Sequence, residues 1–192
     1  MFIDFGVIAR KEAQLSDIQG QYTHQDLINA TNEMIDTVLA MVRDLPDSYV
    51  SFQPVDSQAQ DNAAATEAEK DLAWNLGHVV VHLTASGEEA AAQGAQLARG
   101  VPVRARNRYE VPWEMVTTTA QLIHRLEESR RMRLAYLNAW PDEPHYELLH
   151  DKGLEHYGAI NCVGFTLLGL KHDADHLGQI AEIIAQARAA EV

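Results

Sequence analysis

The chain has 192 residues, enough for one ordinary domain with a substantial core, and its 46% apolar content is normal for a globular protein. A formal charge of −13 disfavours phosphate backbones and anionic lipid as partners, because an acidic surface gains nothing from releasing their counterions. No run approaches the roughly 20 apolar residues that span a bilayer, and Met1-Phe2-Ile3-Asp4-Phe5-Gly6 lacks the basic start and long apolar core of a secretory signal, so the cytoplasm is the expected compartment.

The first predicted helix runs from about Thr23 to Arg43, where Leu27, Ile28, Met34, Ile35, Val38, Leu39 and Val42 fall at helical spacings. It ends near Leu45-Pro46, since proline lacks a backbone donor and restricts the residue before it. Ser57 to Thr66 have no apolar period and read as a loop or a frayed start. A second helix is predicted from Thr66 to Arg99, with Thr66 and Glu69 resembling a capping box and Gly100 closing it. The connection that follows carries Arg104, Arg106 and Arg108 between Pro102 and Pro112, an alternation expected to face solvent.

A third helix is predicted to start at Pro112 or Trp113 and to end at Trp140-Pro141. Residues up to about Lys152 show no sustained period, and a fourth helix is expected from Tyr157 to Arg188, with Gly164 and Gly169 permitting close helix contact. The lone Cys162 cannot form an internal disulfide, and its neighbours Ile160, Val163 and Phe165 mark it as a buried structural thiol rather than a nucleophile. No strand-like alternation or repeat competes, so residues 1–192 read as one all-α domain of four packed helices.

His172 and His176 carry the strongest chemical signal. Four residues apart on a helix, they stand about 40° apart around its axis and about 6 Å apart along it, so one metal ion can reach both. Such a pair is not specific alone. His78 and His82 repeat the spacing on another predicted helix, which lets helices two and four face one ion. A histidine of this set that does not coordinate is expected to be a hydrogen-bonded core residue. Asp173 and Asp175 are candidate charge partners, whereas His24, His124, His145, His150 and His156 lack a repeated geometry and read as surface or local structure.

The sequence His172-x-x-x-His176-x-Gly178-Gln179-Ile180, with the tryptophan and histidine segment near Trp74, resembles the DinB-like superfamily over nearly the whole chain. That family includes thiol-dependent transferases and isomerases. The resemblance implies a four-helix bundle with a long crossover between helices two and three, and the Gly100 to Pro112 connection is compatible with one. It also implies that His172 and His176 ligate a divalent transition metal (zinc or nickel, with iron as a third option) together with one histidine of helix two. Alignment on Trp74 and the His-Leu step favours His82; alignment on Trp74-Asn75-Leu76-Gly77-His78 favours His78.

Two functions follow as expectations. One is a metal-dependent transferase or isomerase that activates a low-molecular-weight thiol, such as bacillithiol or mycothiol, toward an electrophilic small molecule. The other is a metal-binding or stress-associated interaction protein without catalysis. Phosphate loops, dinucleotide fingerprints and Ser-His-Asp orders are missing from the sequence, and a homodimer is the expected assembly.

Overall fold

The computed structural model describes residues 3–57, 59, 70–105 and 108–191, and among them there are seven α-helices and no strand. Two short turns, α1 (Gly6–Ala9) and α2 (Leu15–Ile18), lead into α3 (His24–Val42). Thr23 starts α3 as a capping box: its hydroxyl accepts from the Asp26 amide while the Asp26 carboxylate accepts from the Thr23 amide at 2.9 Å. Pro46 ends the polar stretch after it and begins the single turn α4 (Asp47–Val50), which buries Tyr49 and Val50.

The second long helix, α5 (Leu76–Ala98), begins ten residues later than its apolar pattern suggests. Asn75 sets the start, because its side chain accepts from the His78 amide at 2.9 Å and satisfies a donor that the first turn leaves unpaired. Residues 70–75 are not helical, and the Thr66–Glu69 pair lies outside the described residues. The third, α6 (Thr119–Asn138), also starts late, on a Thr118–Gln121 capping box. Trp113–Met115 form a separate 3₁₀ turn, so Met115 stands exposed instead of joining the core. The last, α7 (Cys162–Ala190), begins where Asn161 accepts from the Val163 and Gly164 amides.

Each of the four long helices packs against two others: α5 against α7 and α6, and α3 against α6 and α7. Two apolar clusters fill the space between them, one around Leu27, Ile160 and Leu167, the other around Ile35, Leu76, Leu83, Leu122 and Ile180. Each fully buried leucine or isoleucine there contributes roughly 1.5–3 kcal/mol. Helices α5 and α7 run antiparallel in close contact. A Cβ on Gly94 would meet the Cys162 carbonyl at 2.9 Å, and one on Gly169 would meet the Ala90 Cβ at 2.9 Å. Leucine-sized residues at these points would push the helices apart, so the small residues set the separation at which histidines further along the pair meet.

Candidate metal centre

His82 of α5 faces His172 and His176 of α7. Their ligand nitrogens all lie within 4.8 Å of one another, and Nε2 of His82 stands 3.1 Å from Nε2 of His172. Two nitrogens bound to one tetrahedral zinc at ~2.0–2.1 Å are about 3.3–3.4 Å apart, close to that separation. The donor set therefore fits a late divalent ion without rearrangement of the helices.

The protonation states of the two α7 histidines fit as well. Burial pulls the His172 imidazole down to about 2, reinforced by His176, His82, Arg108 and Arg133. Burial also lowers His176, opposed by its hydrogen bond to Gln179. At neutral pH both rings are thus neutral and present a lone pair. Nδ1 of His176 lies 2.8 Å from Oε1 of Gln179, and since that oxygen only accepts, the ring carries its proton on Nδ1 and leaves Nε2 unprotonated. Nδ1 of His172 is buried without a hydrogen-bond partner among the described residues, so packing and the Nε2 contact with His82 hold that ring.

His78 stands apart from this cluster. Its ring is sandwiched between Trp113, at 4.7 Å and nearly parallel, and Trp74, at 4.4 Å. The 3₁₀ turn carrying Trp113 thereby docks on the first turn of α5. Trp74 also covers His82, with ring centroids 4.4 Å apart, and stacks toward His176 at 6.0 Å. The two histidines on α5 share a face, but the tryptophans enclose the first while the second meets α7.

His172 lines a cavity of about 420 Å³. Ser86, Glu89 and Gln93 of α5 form one wall and Phe165, Leu168 and Gly169 of α7 another, with His150, Lys152 and Tyr157 from the connection before α7 closing the third. The protein model for the DinB superfamily matches residues 23–180, a span that runs from the start of α3 through the histidines of α7. The chain belongs to the DinB superfamily. No curated protein and no solved structure shows significant similarity to it.

Several residues of this superfamily member's centre give little signal in the sequence. Arg108, in the run expected to face solvent, is half-buried and places Nη2 2.7 Å from Nδ1 of His82, while also pairing with Glu110. Arg104 is exposed as expected, and Arg106 lies outside the described residues. Asp173 does find a charge partner: it is fully buried and paired with Arg133 of α6. Burial pushes its carboxyl up from the ordinary value while the guanidinium favours the anion. Asp175 instead pairs with Lys171 at 2.6 Å.

The other histidines are dispersed. His24 contacts the Leu137 carbonyl at 2.9 Å and His145 contacts Glu147 at 2.7 Å, while His124 and His156 are exposed. His150 forms an isolated antiparallel bridge with Ile160, which brings its ring to the cavity that His172 lines.

Proposed function

We propose that this DinB superfamily member is a metal-dependent enzyme, a transferase or isomerase that uses a low-molecular-weight thiol such as bacillithiol or mycothiol to act on an electrophilic small molecule. The observation that carries the reading is a three-imidazole cluster one of whose members, His172, lines a cavity of about 420 Å³, large enough for a small substrate. A purely structural site is usually closed by a fourth protein ligand. The proposed architecture is a four-helix bundle of α3, α5, α6 and α7, with the connection from Arg99 to Thr118 as its long crossover.

In this reading His82, His172 and His176 hold the ion, with zinc or nickel ahead of iron. When bound, the ion supplies Lewis acidity, which lowers the pKa of a thiol or polarises a carbonyl. Gln179 fixes the His176 tautomer, and Trp74 packs over His82 and toward His176. Lys152 and Arg108 on the cavity wall supply cationic groups for an acidic substrate group, and the apolar faces of Phe165 and Leu168 exclude water from the reacting atoms.

The test couples elemental analysis to turnover. Wild type is expected to hold one equivalent of metal, with His82→Ala, His172→Ala and His176→Ala each losing it. Unchanged metal content in both α7 variants would sink the metal reading. A fully loaded protein that turns over no electrophile with a panel of small thiols would leave a non-catalytic metal-binding role instead.

A further inference from the structure

A single guanidinium links the two helices that carry the candidate ligands, at the level of the histidines. Arg133 of α6 is 3% exposed and reaches between α5 and α7. Its Nη1 and Nη2 donate to the two carboxylate oxygens of Asp173, the second at 3.3 Å. Nη2 also donates to the Leu83 carbonyl at 3.2 Å, and Nε donates to the Ser129 hydroxyl at 3.0 Å.

The chain positions of these partners give the arrangement its meaning. Leu83 follows His82 directly, and Asp173 follows His172 directly. One planar fork is therefore bonded to the residue after a candidate ligand on each of two helices. Lysine, a point charge on a flexible stem, cannot make this set of bonds from one rigid group. Gly87, one turn beyond Leu83, makes room for it, since a Cβ there would collide with the guanidinium carbon and both terminal nitrogens.

Stability alone does not account for the pair. A buried ion pair is often no more stabilising than apolar residues of the same volume, because desolvation offsets the Coulombic gain. What apolar packing does not supply is a directional link that fixes rotation and sliding of α5 against α7. The His82 and His172 nitrogens stand 3.1 Å apart across that interface, and Nδ1 of His172 makes no hydrogen bond among the described residues, so the ring is held by packing and by the other candidate ligand. The Arg133 fork supplies a link between the two helices that does not depend on the imidazoles themselves.

We infer that Arg133 and Asp173 are positioning residues for the metal centre, holding the helix segments after His82 and His172 at the register that lets both imidazoles reach one ion. The inference rests on the metal reading above. Its test uses Co²⁺ alone as the probe, with wild type, the apolar double variant Arg133→Met with Asp173→Leu, the single variant Arg133→Lys, and His172→Ala. Thermal unfolding, Co²⁺ affinity and the Co²⁺ visible spectrum are measured for each.

The double variant is expected to unfold at nearly the wild-type temperature yet bind Co²⁺ about 10–100-fold more weakly, the range typical of lost outer-shell support, with a shifted visible band. Arg133→Lys keeps the charge but not the fork, and is expected to show the same loss to a smaller degree. It decides the matter if the double variant does not fold. Wild-type affinity and an unchanged spectrum in either folded variant, with His172→Ala abolishing binding, would overturn the positioning role and leave the metal reading intact. A wild-type protein that binds no Co²⁺, or an His172→Ala variant that binds it equally well, would overturn both.

Discussion

Nη2 of Arg108 stands 2.7 Å from Nδ1 of His82, on the side of the ring opposite the nitrogen that faces His172. A guanidinium only donates, so in this arrangement Nδ1 accepts and the neutral ring carries its proton on Nε2. A metal ligated through Nε2 needs the other tautomer, with Nδ1–H facing an acceptor. Glu110 offers one, with Oε1 3.6 Å from the same Nδ1. Ion binding is therefore expected to exchange Arg108 for Glu110 at His82. Glu110→Gln should weaken metal binding by about tenfold, at the low end for an outer-shell partner, while Arg108→Met should leave it equal or tighter. A competition titration against a chromophoric chelator reads both, and weaker binding in Arg108→Met with no change in Glu110→Gln would refute the exchange.

His78→Ala separates packing from ligation. The ring fills the space between Trp74 and Trp113, so its removal opens a cavity and should cost about 2–4 kcal/mol in chemical denaturation. Metal content should stay near wild type provided the folded fraction is restored. Loss of the ion from well-folded His78→Ala would show that the 3₁₀ turn at Trp113 supports the centre more directly than stacking implies.

The difference between His78 and His82 explains how far the sequence could be read. Both imidazoles sit on one helical face by spacing alone, and that spacing also placed His172 and His176 together. Choosing between the first two required the position of Trp113, which is 35 residues away from His78 in the chain and reaches it through a turn with no periodic signal. The long helices were legible because their apolar stripes are, and α3 matches its expected span within a residue at each end. The starts of α5, α6 and α7 were not, because apolar residues before Asn75, Thr118 and Asn161 continue the pattern into segments where the cap, not the stripe, decides the boundary. Arg108 and Arg133 look like ordinary surface charges in sequence; only the packed helices reveal what they contact.

Those caps can be measured directly. Asn161 satisfies two amides at the start of α7, the helix that bears two of the three clustered histidines. Asn161→Ala should destabilise the protein by about 0.5–2 kcal/mol, and Asn161→Asp should recover most of it. Equal loss in both variants would mean that the contact from the Asn161 amide nitrogen to the Tyr146 carbonyl, at 3.2 Å, matters more than the cap.

Cys162 provides a probe of folding that is independent of the metal. The residue is fully buried, and burial pushes its thiol up to about 11. At pH 8 the folded protein should resist iodoacetamide, since both access and thiolate are lacking, and should be modified rapidly in denaturant. Stoichiometric alkylation of native protein within minutes would contradict the packing of α7 against α5 at Gly94.

The pH dependence of the metal-stripped protein follows from the same burial that prepares the site. His172 is lowered to about 2 and His176 is lowered as well, so the folded chain binds fewer protons than the unfolded chain, whose histidines titrate near about 6.5. Stability rises with pH wherever the unfolded state holds more protons. It is therefore undiminished above that value and declines as pH falls below it, by up to about 1.4 kcal/mol per pH unit for each fully depressed histidine. Urea unfolding of chelator-treated protein between pH 7.5 and 5 should show this slope. His172→Leu with His176→Leu should flatten it, because those two sites then titrate in neither state; an unchanged slope in that variant would assign the acid sensitivity to other groups.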